Sequence, residues 1–296
     1  MDLRALRYFV ELVKQKSFTR ASEQLFVTQP TISKMIKSLE QELDLPLLHR
    51  QGRRFWLTDA GDVVFKNAQS ILKQMDELAA QLDDLNELRK GQLKVGIPPM
   101  VGHLYAQLIR QYRQAYPDVE LTILEYGGRK IEHAVLDGEI DIAITMISEY
   151  IQEHLNTLPF TSYPLLAVLP DEPRWQQKSK VCWADLAAEP FYLYTKEFTL
   201  SEVIQQACQK AGFKPQVLAR SSQWDFLVAL VKSGGVAFLP QPLFQQMDAR
   251  GVIGRAIEPA IDWNLGVIWP ADRYLSRAAQ AWLQLCYPLQ HRSSGN

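Results

Sequence analysis

Residues 17–40, SFTRASEQLFVTQPTISKMIKSLE, constrain this chain more than any other stretch. Apolar residues recur at helical spacing on both sides of a four-residue break, Phe26-Val27-Thr28-Gln29. Ala21, Leu25 and Val27 mark the inner side of the first segment. The second starts at Thr28, whose hydroxyl is placed to cap free backbone N–H groups. Pro30 falls in its first turn, where a missing N–H costs nothing. Ile32, Ile36 and Leu39 then face inward, which leaves Gln29, Thr31, Ser33, Lys34 and Lys37 outward. Such side chains hydrogen-bond base edges or neutralise phosphates. The pattern is that of a helix-turn-helix, whose second helix reads the major groove from its N-terminal end, here Thr28 to Lys37. A plain helical hairpin with a solvated polar face has the same spacing, so the flanks decide between the two.

The flanks favour nucleic acid. Upstream, Leu6, Phe9, Val10 and Val13 line one side of a helix over 3–14, a third packing partner. Downstream, Pro46 is expected to stop the second helix. His49-Arg50 and Gly52-Arg53-Arg54 then flank a tight turn followed by Phe55-Trp56-Leu57. This reads as a basic β-hairpin wing, with Arg50, Arg53 and Arg54 placed to meet phosphates or a minor groove. Residues 1–58 hold ten Lys and Arg against six Asp and Glu, a charge of +4, whereas the whole chain carries −1 and the remainder therefore −5. Positive charge gathered in one unit is what binding to a polyanion requires.

The run LRYFVELVKQKSFTRASEQLFVTQPTISKMIKSLEQELDLPLLHR, followed by LTDAG, closely resembles the N-terminal part of LysR-type transcriptional regulators. The resemblance covers residues 1–89 most specifically and extends over nearly the whole chain in length and pattern. It implies a multidomain fold of mixed α+β and α/β class. A winged helix-turn-helix (1–58) leads into a linker helix (59–89). A two-lobed α/β effector domain like that of periplasmic binding proteins (90–296) follows, with lobe one at about 91–162 and 268–296 and lobe two at about 163–267. It also implies double-stranded promoter DNA, a small-molecule co-inducer, RNA polymerase and further copies of the chain as partners, with no cofactor and no membrane.

The residues after Thr58 support that division. Thr58 or Asp59 is placed to cap a helix running to about Leu88. Val64, Ala68, Ile71, Met75, Leu78, Leu82 and Leu85 step by alternate fours and threes, a heptad seam kept for three repeats. A regular seam on a helix about 45 Å long, at ~1.5 Å per residue, favours pairing with a second subunit over lying on its own domain. In the resembled family this helix dimerises, which sets two reading helices on one pseudo-palindromic site, and dimers pair into tetramers. Lys90-Gly91 reads as a hinge. Strand and helix segments then alternate, as a parallel sheet requires. Leu93, Val95 and Ile97 mark the first strand, and crossing strands are expected at Tyr163–Leu169 and near Leu265–Trp269.

Open parallel sheets bind ligands beyond the carboxyl ends of their strands. In lobe one those ends are Pro99, Met100, Val101 and Gly102, then Gly128 and Arg129, then Thr145 and Met146. Lobe two offers Lys196, Thr199 at a helix start, and Ser222. Each of these residue types also occurs in ordinary loops and caps. Relatives often place Ser or Thr after the first strand, to hold a carboxylate, where this chain has Pro98-Pro99-Met100. That departure, with Gly128 and Met146, points toward a more apolar or differently oriented effector. Ile97-Pro98-Pro99 and Glu125-Tyr126-Gly127 resemble a subgroup linked to overflow metabolism and murein-hydrolase control.

Enzyme classes find little support. His49, His103, His133, His154 and His291 show no metal-ligand spacing, and neither GxSxG nor GxxxxGK[ST] occurs. Asp137, Glu139 and Asp141 read as residues flanking a turn and strand rather than an acid pair. Cys182, Cys208 and Cys286 are isolated and odd in number, which fits a reducing cytoplasm rather than a disulfide framework. Cys208, among Ile204, Ala207 and Ala211, reads as a small buried hydrophobe rather than half of a redox pair with Cys182. No apolar run approaches the ~18 residues that a membrane span needs.

Overall fold

Asp2 accepts a hydrogen bond from the Ala5 backbone N–H (2.6 Å) and so starts the first helix, α1 (Leu3–Gln15). In the computed structural model, which describes residues 2–52, 54–85, 91–148 and 153–289, the chain divides into two units, Met1–Asn86 and Glu87–Asn296.

In the first unit, α1 is followed by α2 (Phe18–Gln24) and α3 (Gln29–Leu43). Phe9 and Leu12 of α1, Ala21 of α2 and Ile32, Ile36 and Leu39 of α3 are fully or almost fully buried in one core. Burying each large side chain contributes roughly 1.5–3 kcal/mol, so these contacts fix how the three short helices pack. Thr28 does occupy the N-cap position of α3, but its hydroxyl makes no cap hydrogen bond. It pairs with the Thr31 hydroxyl instead (2.9 Å). The stop after α3 also differs from expectation. Asp44 takes the left-handed conformation (φ 52°) and ends the helix two residues before Pro46 is reached.

The wing is an antiparallel hairpin, β1 (Leu48–Gln51) and β2 (Arg54–Leu57), in which Gln51 faces Arg54. Gly52, at φ +60°, allows the turn. Helix α4 (Asp59–Leu85) starts at the foot of the wing. The LTDAG motif makes that junction rigid. The Thr58 hydroxyl donates to the Pro46 carbonyl (2.7 Å) and accepts from the Gly61 N–H (2.9 Å). Gly61 is required because any Cβ there collides with the Leu47 carbonyl.

The heptad seam of α4 divides into two parts. Val64, Ala68 and Ile71 pack into the core of their own unit, with Ala68 buried. Met75, Leu78 and Leu82 are 42%, 50% and 50% exposed. The seam expected to serve subunit pairing throughout is therefore partly used within the chain. The side chain of Leu85 lies outside the described residues, as does Arg53 of the wing.

The second unit runs through β3 (Gln92–Ile97), α5 (Ala106–Ala115), β4 (Glu120–Glu125), α6 (Gly128–Leu136) and β5 (Ile142–Met146). Next come β6 (Leu155–Pro170), α7 (Pro173–Gln176), β7 (Lys180–Cys182), β8 (Pro190–Tyr194) and α8 (Thr199–Lys210). It ends with β9 (Gln216–Ser221), α9 (Trp224–Val231), β10 (Ala237–Pro240), α10 (Gln241–Gln246), β11 (Val252–Glu258), β12 (Asp262–Pro270) and α11 (Arg277–Cys286). One sheet has the order β4-β3-β5-β12-β6-β11-β7, with β10 also on β6, and β8 pairs with β9 apart from it. Strand β3 is parallel to β4 and β5, whereas β12 is antiparallel to β5 and β6.

Strand β6 explains the two lobes. Residues 155–164 pair with β12 on one side, and residues 165–170 pair with β10 and β11. One 16-residue strand thus passes from the first lobe into the second. The expected crossing strand at 163–169 is its second half.

Candidate DNA interface and effector cleft

On α3, helical spacing buries Ile32, Ile36 and Leu39 and leaves Gln29, Pro30, Thr31, Lys34 and Lys37 exposed, with Ser33 half-buried. Gln29 is held in place from the preceding helix: its Nε2 donates to Thr19 Oγ1 (2.6 Å). Its amide oxygen has no such tie among the described residues. The α3 N-terminus brings a partial positive charge to the same end, where phosphates are favoured, although Pro30 has no N–H and the Thr31 N–H is taken by the Thr28 carbonyl (3.0 Å).

The wing contributes differently from expectation. Glu40 of α3 accepts from the backbone N–H groups of Leu47 (2.9 Å) and Leu48 (3.2 Å) and pairs with Arg50 (3.3 Å). Arg50 also lies over the Phe18 ring (5.9 Å), which meets Phe55 edge-on. Arg50 therefore braces the wing against α2 and α3 and has less freedom to seek a phosphate than exposed Arg54. Apolar spacing treats Phe26 as part of the break alone. It is 95% exposed and left-handed (φ 54°), next to the start of α3. An apolar side chain held in a costly backbone conformation in full solvent is the signal that the periodicity did not carry.

In the second unit, four of the expected effector residues converge. A Cβ on Gly128 would lie 2.7 Å from Thr199 Oγ1 and 3.0 Å from Thr145 Oγ1. Both hydroxyls are buried and neither has a hydrogen-bond partner among the described residues. Arg129 forms an ion pair with Glu202 of α8, and its N–H donates to the Glu197 carbonyl (3.0 Å). The lobes are thus in contact here. A side chain at Gly128 would press on the Thr199 hydroxyl, so the contact between the lobes is closed at this point.

Other expected residues do not join this cluster. Met100 and Val101 are buried in the main core, where they pack rather than line a cleft. Gly102 is half-buried in a short 3₁₀ turn, and Pro99, Lys196 and Ser222 are exposed. Met146 is buried in the core and also borders a separate cavity.

Glu132 is the main omission of the sequence reading. It is 3% exposed, and burial pushes its carboxyl up to about 7. Arg129 opposes that rise and Glu202 reinforces it. The signal was present: Gly128, Ile131, Glu132 and Val135 share one face of α6, and the others on that face are buried. Arg220 was missed as well. Its guanidinium donates to the Tyr194 carbonyl (3.0 Å) and to Ser201 Oγ (2.8 Å), tying the start of α8 to the end of β8. Cys208 and Cys286 are fully buried, and burial lifts both thiols to about 12, so Cys208 is an inert core residue. Cys182 is exposed. Asp141 accepts from the Lys94 backbone N–H (2.8 Å) and Glu139 from the Tyr126 hydroxyl (2.8 Å), which is structural work rather than an acid pair.

Comparison with known families decides the identity. Residues 3–62 match the family described as bacterial regulatory helix-turn-helix protein, lysR family, and residues 86–288 match the LysR substrate binding domain. The chain belongs to the LysR family of transcriptional regulators. It is a DNA-binding transcriptional regulator with a C-terminal effector-binding domain. Among LysR relatives, it is 37% identical over 287 residues to the uncharacterized HTH-type transcriptional regulator YwbI of Bacillus subtilis, covering 96% of this chain and 95% of that one. It is 30% identical over 283 residues to the transcriptional dual regulator GltC of the same organism, covering 94% of each. A full-length OxyR variant from Pseudomonas aeruginosa superposes with a TM-score of 0.68 at 26% identity, over 97% of this chain and 94% of that one. This LysR chain has, among its described residues, no helix long and apolar enough to cross a membrane.

Proposed function

We propose that α3 reads promoter DNA in the major groove through Gln29, Thr31, Ser33, Lys34 and Lys37, with Thr28 and Pro30 at the phosphate-facing end and Arg54 on the wing. The observation that carries this reading is the exposed polar face of α3 directly over the buried Ile32–Ile36–Leu39 stripe. Chains pair through the exposed part of the α4 seam, Met75, Leu78 and Leu82, and pairs of dimers form the homotetramer. A small molecule held between the lobes, beside the closed contact of Gly128, Arg129, Thr145 and Thr199, shifts the balance between assemblies that bend DNA differently. Such a shift requires the ligand to bind the two states unequally. The protein works in the cytoplasm, contacts RNA polymerase at the promoter and uses no cofactor or metal.

Gel-shift titration against the intergenic DNA upstream of its own gene tests the core of this reading. Saturable binding with a steep salt dependence is expected. Affinity equal to that for random DNA of the same length would refute it.

A further inference from the structure

A cavity of about 370 Å³ lies beside the contact between the lobes. Met146, Ile147 and Ser148 border it from the first lobe, and the side of α8 carrying Val203, Ala207 and Lys210 borders it from the second. Trp183 and the 259–261 segment complete it. This wall is braced. The Trp183 indole N–H donates to the Pro259 carbonyl (3.0 Å), and its ring stacks on Phe238 (5.4 Å between centroids). The volume falls in the range of small-molecule sites, about 300–1,000 Å³, which are mostly apolar with a few placed polar groups.

The charge balance of the lining selects among ligands. Among the described residues, Lys210 is the one charged side chain that borders the cavity, and no carboxylate does. Asn264 also borders it. Its Oδ1 accepts from Ser162 Oγ (2.8 Å), which leaves donors at its Nδ2. A multiply charged phosphate needs several cations or a helix N-terminus. Here one lysine stands near the C-terminal end of α8 above apolar walls. We infer that this cavity binds a small monocarboxylate with an apolar, ring-sized body, the carboxylate on Lys210 and Asn264 and the body against Trp183, Val203 and Ile147. The inference rests on the reading of this unit as an effector domain and deepens it. The site is open while the Thr145–Thr199 gap is closed, and a ligand in it touches both lobes and so bears on their closure.

Calorimetric titration of the full-length protein with indole-3-acetate, and with its uncharged counterpart indole-3-acetamide, tests the assignment. Saturable binding of the acetate is expected, at least about tenfold tighter than that of the amide, as a charge-assisted contact requires. Lys210→Met, at the exposed rim, brings the acetate to the level of the amide. Val203→Trp fills the cavity and abolishes binding of both, with the melting temperature showing that the variant is folded. Absence of acetate binding, equal binding of acetate and amide, or binding indifferent to both variants would overturn the inference. So would binding lost in Thr145→Val but kept in Val203→Trp, which places the ligand in the interlobe gap. The promoter gel shift is read on the same preparation. Specific DNA binding without acetate binding refutes the cavity assignment alone, whereas loss of specific DNA binding refutes the regulator reading itself.

Discussion

Phe26 and Glu132 each hold a conformation or protonation state that their surroundings impose at a cost. Holding a non-glycine residue left-handed costs roughly 1–2 kcal/mol, and Asn bears less of that cost. Phe26→Asn is therefore expected to raise unfolding stability by about 0.5–1 kcal/mol in urea. Promoter affinity of the same variant should fall, because an exposed ring kept in that conformation beside the reading helix is placed for contact. For Glu132 the sign follows from its raised pKa. The folded state binds the proton more tightly than the unfolded state, whose carboxyl titrates near 4.5. Stability is fully retained below about pH 4.5 and declines as pH rises toward about 7. Glu132→Gln should flatten melting temperature against pH in that window and should melt higher than the parent at pH 8. Parallel curves for the two proteins would show that the carboxyl is not the group responsible.

The elements were largely legible in the sequence, and the places where reading stopped have physical causes. Helices α1 to α3 followed from apolar periodicity, and the wing from Arg-rich turn residues between strand formers. The seam of α4 was legible as a seam but not as two surfaces. Spacing shows which residues share a face; it does not show that α1 of the same chain covers the first half of it. Likewise Thr145 and Thr199 were found from strand ends and a helix start. Glu202 and the cavity beside the lobe contact were not, because their partners lie across the fold at long sequence separation. The divided seam makes its own prediction. In analytical ultracentrifugation, Leu78→Glu should break pairing through α4 and halve the tetramer to a dimer held by the remaining interface, with unchanged helix content by circular dichroism. Ala68→Asp, which buries a carboxylate in the core of the first unit, should lower the melting temperature sharply instead.

At the scale of the whole molecule, charge is divided: residues 1–58 carry +4 and the rest −5. Lys34→Ala should weaken promoter binding and reduce the slope of log affinity against log salt by about 1 for each reading helix bound. An unchanged slope would mean that Lys34 does not approach a phosphate. The Thr58 and Gly61 junction has a mechanical consequence. Because α4 grows out of the same core that holds α3 and the wing, no slack separates them. Its 27 residues make a lever about 40 Å long, at ~1.5 Å per residue. A small tilt at the free end turns the reading helix by the same angle. In the proposed assembly, how two levers cross sets the separation of two half-sites, while Gln29, Thr31 and Lys34 set what each half-site says. Spacing and sequence preference can then evolve independently.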